Sequence, residues 1–214
     1  MATKIWGPLG WMTLHSISAI YPEKPSYEDM QILKRFMELF ADTISCPDCK
    51  GHFLKMFTTY KSSYPSWFAS RSEFFNFVAR AHNTVNARLD KPRIATVAEC
   101  IRALQSNTVS NSSTSYRNKY MSYLVRNWSS EHSGEAFILA HSAREMMKIN
   151  NEYWNPRDTG FADLVLPETD IMTPIVNVPM RQNYFTGQQV QTSTKMPTHV
   201  RISFISNKLR SVGK

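Results

Sequence analysis

Two thiols three residues apart, in Cys46-Pro47-Asp48-Cys49-Lys50-Gly51-His52, are the residues of this chain best placed to do chemistry. Pro47 suits the first turn of a helix, so the pair sits where a helix begins. Unsatisfied backbone amides and the helix dipole favour a thiolate there, which is the species that disulfide exchange requires. Lys50 adds positive charge beside it. By themselves the cysteines are open to three readings: a redox disulfide, part of a zinc site, and two ordinary buried thiols. A closed zinc site takes four ligands, and only His52 and Cys100 come readily to hand. A thioredoxin-like module would place the pair after a strand, whereas residues 30–45 read as helix. Thiol–disulfide exchange only moves electrons between sulfurs, so net oxidation needs an acceptor such as a flavin. The chain has no Gly-x-Gly-x-x-Gly, which excludes a Rossmann flavin domain. A flavin site here must be built from aromatic walls and side-chain donors on helices.

The elements that must position these residues are helical. A first helix is expected from about Trp6 to Ile20, with Trp11, Leu14, His15, Ser18 and Ala19 on one face. Ser26 and Asp29 open a second, with Met30, Leu33, Phe36, Met37 and Phe40 as its apolar stripe, ending near Ile44. The third starts at the cysteine pair and carries Phe53, Leu54 and Phe57 into a loop at Tyr64-Pro65-Ser66. Ser70 with Glu73 caps a fourth, which places Phe74, Phe77, Val78, Ala81, His82 and Val85 on one side and closes at Lys91-Pro92. Thr96 with Glu99 starts a short fifth helix to about Leu104. The polar run from Ser106 to Ser115 reads as a linker. Beyond it, Tyr116 to Trp128 and Gly134 to Tyr153 have helical spacing, stopped by Asn155-Pro156. From Arg157 onward, prolines punctuate short runs such as Asp163 to Leu166 and Ile175 to Val178, and Val200 to Ile205 alternates like a strand. These are expected to be extended segments packed on the helices or on a partner subunit.

Length and composition narrow the classes. The chain has 214 residues, 42% of them hydrophobic and 12% aromatic, enough for one or two domains and too apolar for global disorder. Charged residues or histidine break every apolar run before it reaches the roughly 18–20 residues of a membrane span. Residues 1–10 lack the features of a secretory signal or a mitochondrial presequence, which makes the cytoplasm the default expectation. The net charge of +8 is spread evenly, 13 basic against 9 acidic residues up to Ser106 and 12 against 8 beyond it. With no nucleic-acid motif in view, nucleic-acid binding is not expected. Three cysteines cannot staple a secreted fold.

Three blocks, taken in order, carry a resemblance. Trp6-Gly7-Pro8-Leu9-Gly10-Trp11-Met12-Thr13-Leu14-His15 is followed by Cys46-Pro47-Asp48-Cys49 with His52-Phe53, and then by His82-Asn83-Thr84-Val85-Asn86 with Leu89, Lys91 and Pro92. Over about residues 5–105 this resembles the Erv/ALR family of FAD-linked sulfhydryl oxidases, and among its members the short oxidases of large DNA viruses. The resemblance implies a mainly α fold: a four-helix bundle with a fifth short helix, FAD held inside, and a homodimer. Trp6, Gly7, Trp11 and His15 would wall the flavin and His52 would reach it from the third helix. His82, Asn83, Val85, Asn86, Leu89 and Lys91 would hold its ring system, ribose and phosphates. By the same pattern a substrate thiolate attacks Cys46 and Cys49 delivers the electron pair to the flavin. O2 then takes the electrons and H2O2 forms. The setting it implies is the infected cell's cytoplasm or the virion.

There are departures from that pattern. The cysteines that would brace the fourth helix to the fifth fall here at Ala79 and Thr96. Ile94 replaces an aromatic of the flavin wall, and no tail cysteine pair exists, so Cys46 must meet its substrate directly, a small thioredoxin-like protein being one candidate. Cys100 is expected to be a buried or free thiol. The domain reading is 1–105 as the oxidase-like part, 106–115 as linker, and 116–214 as a mixed accessory domain of helices followed by extended segments. That second part would enlarge a dimer interface or dock a redox partner or virion component. The bland alternatives are a core pair for Trp11 and His15 and a polar patch for His82 to Asn86, although two Asn inside a helix are locally unfavourable. From another class comes a non-enzymatic zinc-binding helical adaptor using Cys46, Cys49, His52 and Cys100. An oxidase fold without activity is the third reading. No metal is expected on the oxidase reading.

Overall fold

The computed structural model describes residues 3–109 and 112–176. The chain divides near residue 177, and the described residues all belong to the first unit. Seven α-helices and no strand occur among them: α1 (Thr3–Ile20), α2 (Tyr27–Asp42), α3 (Pro47–Ser63), α4 (Arg71–Arg88), α5 (Val97–Thr108), α6 (Ser113–Ser129) and α7 (Gly134–Ile149). The fold is the mainly helical one expected for the first hundred residues, continued by two further helices.

Most helix starts are chemically marked. Ser26 and Asp29 form a reciprocal capping box on α2, and the hydroxyls of Ser70 and Thr96 accept the amides of Glu73 and Glu99 at 3.1 Å each. Each such cap satisfies a donor that the helix itself leaves open. For α3 the capping residue is Cys46 itself, whose sulfur accepts the Cys49 amide at 3.3 Å, with Pro47 in the first turn.

Helix α1 is central, and every residue from Thr13 to Tyr21 is buried. It packs against α4 and α6 and touches α5, while α2 packs against α3 and α7. At Gly10 a Cβ would stand 3.3 Å from the Tyr120 ring and 3.5 Å from Phe40, so the α1–α6 approach needs glycine at that point. Phe57, Tyr60, Trp67, Phe74 and Phe77 form an aromatic cluster between α3 and α4.

The second half of the chain differs from its expectation in two places. First, α5 runs on to Thr108 through residues read as linker, because Asn107 and Thr108 bond back to the carbonyls of Ala103 and Leu104 and close the last turn. With α6 starting at Ser113 behind its cap Ser112, only 109–112 lie between them, and 110 and 111 lie outside the described residues. Second, α7 passes into a π-helical turn, Asn150–Trp154, and a 3-10 turn, Asn155–Arg157. These bring Asn150 inward to Arg117 and seat Trp154 against Tyr21 and Phe36. Residues 158–176, expected to be extended segments packed on the helices or on a partner subunit, hold no helix or strand and place Phe161, Ile171 and Ile175 in the core. Val200 to Ile205 and the end of the Ile175 to Val178 run lie outside the described residues.

A buried polar network ties these parts together. The Arg117 side chain has no exposure and pairs with Asp158 at 2.9 Å. It also donates to Asn150, Ser16, Thr114 and Asn155. Asp158 accepts from Ser113, Thr114 and the Gly160 amide as well. Burial alone would raise the Asp158 pKa, but the Ser113 and Thr114 hydrogen bonds and the Arg117 charge hold it below the usual carboxylate range.

Candidate redox site

Cys46 and Cys49 are joined as a disulfide across the first turn of α3, with their Cα atoms 5.2 Å apart. The Cys46 sulfur occupies the cap position, so a thiolate released there would meet the Cys49 amide and the positive end of the helix. Cys49 is half-buried and packs against the hydrophobic core. Lys50, expected to support the thiolate, lies 4.0 Å from the Asp42 carboxylate. The loop before the pair is held from the second half of the chain: the Trp128 indole donates to the Thr43 carbonyl at 3.0 Å.

Helices α1 and α4 bring Trp11, His15 and His82 together. Trp11 and His82 stack with centroids 4.3 Å apart and planes 7° from parallel, which leaves no space for a third ring between them. His15 Nε2 and His82 Nδ1 are 2.9 Å apart, so one nitrogen donates and the other accepts. His15, buried at 7% exposure, has its pKa pushed down to about 3, first by burial and then by His82. His82 is pushed down to about 4, by burial and then by the Lys91 charge. Both imidazoles are therefore neutral at pH 7.

Cys100 sits beside this group, its sulfur 3.8 Å from His15 Nδ1. Burial, then the Glu99 charge, pushes its thiol up to about 12, so it is an inert buried thiol, as expected. The zinc reading would bring it to Cys46 and Cys49, yet it lies against His15. Among the described residues no group of three or more His, Cys, Asp or Glu is placed to hold a metal ion.

The remaining candidates are more dispersed. His52 is exposed and its Nδ1 donates to the Asp48 carbonyl at 2.6 Å within its own helix turn. Asn83 is 3% exposed and spends its amide on backbone: it donates to the carbonyls of Ile94 and Ile171 at 2.8 Å each and accepts from the Ile94 amide at 3.0 Å. Asn86 donates to the Pro92 carbonyl at 3.1 Å, and its own carbonyl receives the Leu89 and Lys91 amides at 3.1 and 2.9 Å. It thereby closes the end of α4. Leu89 is 49% exposed, whereas Val85 packs against the core. A Cβ at Gly7 would meet nothing within 4 Å, so that face of α1 is open.

These residues fit a flavin by the chemistry of their donor set. They offer flat aromatic faces, two neutral imidazoles and the Lys91 charge near them. The Trp6 indole N–H is buried with no partner among the described residues, a donor that a bound acceptor would satisfy. Trp6, Trp11, His15, His82 and Lys91 are the ones that could hold FAD. Two surface grooves of about 620 and 640 Å³ lie elsewhere. One is between the start of α1 and α6, lined by Ile5, Leu9, Asn118 and Tyr123 among others, and the second is where the end of α5 meets Asp158 to Ala162. Neither is lined by the cysteine pair, Trp11, His15 or His82. Sequence reasoning missed Trp128, which bonds the Thr43 carbonyl ahead of the cysteine pair, and Glu168 and Arg80, which tie the segment 168–173 to α5 and α4; none carries a local signal of its partner.

Comparison with known proteins falls on the same stretch. The family described as Erv1 / Alr matches residues 9–105. A candidate FAD-linked sulfhydryl oxidase, 096R of Invertebrate iridescent virus 3, is 33% identical over 92 residues, which is 43% of this chain and 61% of that protein. The FAD-linked sulfhydryl oxidase ERV1 of Arabidopsis thaliana is 33% identical over 85 residues, 40% of this chain and 42% of its own length. A second viral protein, the candidate FAD-linked sulfhydryl oxidase 347L of Invertebrate iridescent virus 6, is 32% identical over 91 residues, 41% of this chain and 82% of its own length. The chain thus spans less than two thirds of the first two relatives and most of the third.

Proposed function

Because the chain belongs to the Erv1 / Alr family, we propose that it is an FAD-linked sulfhydryl oxidase that makes disulfides from protein thiols and passes the electrons to O2. The observation that carries this reading is the Cys46–Cys49 disulfide at the start of α3, on the same matched stretch as the Trp11, His15 and His82 group.

A substrate thiolate attacks the Cys46 sulfur, breaking the Cys46–Cys49 bond and leaving Cys49 as a thiolate. A second substrate thiolate resolves the mixed disulfide, releases Cys46 as a thiolate and carries away the new disulfide. The Cys49 amide and the α3 dipole stabilise the departing Cys46 sulfur, which speeds that release. Re-forming the Cys46–Cys49 bond sends the electron pair out through Cys49. Bound FAD would supply the two-electron acceptor there and yield H2O2 with oxygen. Trp11 and His82 would present a flat wall to it, Trp6 a free N–H, and Lys91 a positive charge for its phosphates. His15 and His82, neutral and sharing a hydrogen bond, would hold a proton within the site without adding charge.

On this reading residues 1–105 carry the oxidase chemistry, and the accessory part that follows the short connection at 109–112 enlarges a homodimer or docks a partner. The substrate is a thiol protein, a thioredoxin-like one being the candidate, since Cys46 meets it directly. No described helix is long and apolar enough to cross a membrane. Kinship with proteins of two iridescent viruses supports a viral setting, with the infected cell's cytoplasm or the virion as the place of action.

The test is an absorption spectrum of the purified protein followed by dithiothreitol in air. A flavin band near about 450 nm that bleaches and returns, with peroxide formed, is the expected result. A colourless protein that consumes no thiol, carries stoichiometric zinc and takes up no added FAD would overturn the reading in favour of an adaptor.

A further inference from the structure

Residues 161–176 run as an irregular strap over α4 and α5, and their contacts converge on one corner of the redox module. The strap is anchored by Phe161, Ile171 and Ile175, all buried, and by Gln105, which donates to the Phe161 and Ala162 carbonyls at 2.7 and 3.2 Å. At its centre, Glu168 accepts the Val97 and Ala98 amides, one on each carboxylate oxygen, at 2.9 Å. Those are the first two amides of α5, which a helix cannot satisfy internally, and a carboxylate there also meets the positive end of the dipole.

Two residues on, Asp170 accepts the Met172 and Thr173 amides and turns the strap onto α4. There Asn83 donates to the Ile171 carbonyl at 2.8 Å, Arg80 to the Thr173 carbonyl at 3.2 Å, and the Ile175 amide donates to Thr84 Oγ1 at 2.9 Å. The connection from α4 to α5 is held as well: Asn83 grips Ile94 by both its amide and its carbonyl, and Arg93 donates to the Met172 carbonyl at 3.3 Å. That connection carries Lys91, whose charge acts on His82. Ala79 and Thr96, where no bracing disulfide exists, each adjoin a residue that the strap holds, Arg80 and Val97.

We propose that Glu168 is a positioning residue of the redox module: it locks the first turn of α5 to the strap, fixes residues 89–96 between α4 and α5, and so sets the Lys91 and His82 side of the cofactor site. The module is then completed by a segment far outside residues 9–105. The cofactor half of this proposal rests on the flavin reading, while the strap half stands without it.

The experiment uses the full chain, freed of flavin, with Glu168→Ala and the isosteric Glu168→Gln, which keeps one carbonyl acceptor. Hydrogen exchange is followed by peptide, and FAD affinity is then measured by titration with added FAD. For Glu168→Ala, exchange over 91–100 should rise at least tenfold while the α2–α3 peptides over 30–60 stay unchanged, and FAD should bind at least fivefold more weakly. Glu168→Gln should fall between it and the parent in both readouts. Unchanged exchange over 91–100, or a rise spread evenly over the whole chain, would overturn the strap's role. Raised local exchange with unchanged FAD affinity would overturn the positioning role. A parent chain that binds no FAD defeats the oxidase reading instead, and the exchange result still judges the strap.

Discussion

Removing the Asp158 carboxylate should strip a buried guanidinium of its carboxylate partner and cost this fold heavily. Arg117 has no exposed side-chain surface and Asp158 only 7%, so Asp158→Ala leaves a guanidinium buried among the neutral acceptors Asn150, Ser16, Thr114 and Asn155. Breaking a buried pair in this way costs about 3–5 kcal/mol, because the remaining charge stays desolvated without its partner. Against a total stability of about 5–15 kcal/mol that is a large share. At about 2–4 °C per kcal/mol for a chain of this size, the melting temperature should fall by about 6–20 °C. The assay is thermal and urea unfolding at pH 7 by circular dichroism, with Arg117→Met and the double variant completing a mutant cycle. Because Asp158 is held below the usual carboxylate range, its contribution is complete above about pH 4 and fades as pH falls further. The deficit of the variant should therefore shrink in acid. The network spans α1, α6 and the turns after α7, so unfolding should remain one transition for tryptophans of both halves. A loss under about 1 kcal/mol at pH 7, or two separate transitions in the parent protein, would refute the claim that this buried pair joins the two halves.

The other predictions concern the site. Because the His15 and His82 pKa values are pushed down to about 3 and about 4, the unfolded chain takes up protons first, near pH 6.5, so stability should drop as pH falls below that value. Two imidazoles make this about 2 kcal/mol between pH 6.5 and 5.5, read as a lower urea midpoint for the flavin-free protein. A midpoint unchanged over that range, or one equally pH-dependent after His15→Phe and His82→Phe, would contradict the neutral pair. Cys46→Ser and Cys49→Ser should each lower turnover of thiols by at least a hundredfold while the protein keeps its flavin, checked by oxygen uptake and absorbance. Turnover within threefold of the parent in either variant would remove the pair from the reaction.

Much of the redox module was legible because its signals are local or ordered along the chain. Caps act within three residues, so Ser26, Ser70, Thr96 and the Cys46–Pro47 start could be placed from sequence. Helical periodicity likewise put Trp11 and His15 on one face of α1 and His82 on α4. The polar run 106–115 was harder. Its residues lack an apolar face, yet Asn107 and Thr108 extend α5 by bonding to their own helix and Ser113 is buried on Asp158.

The sequence by itself determined the helices of the first hundred residues, the caps Ser26, Ser70 and Thr96, the place of the cysteine pair at the head of α3 and the residue types available to a flavin. Only the tertiary structure decided which of those residues meet. It set Trp11 on His82 and His15 against both His82 and Cys100. It also turned Asn83 toward backbone and carried Glu168 onto a helix start 71 residues earlier. The physical reason is range. A cap or an apolar stripe is fixed by neighbours within one or two turns, whereas the Arg117 to Ser16 contact, 101 residues apart, exists only because burying the faces of α1 and α6 against each other takes their polar groups out of water and makes them pair with one another.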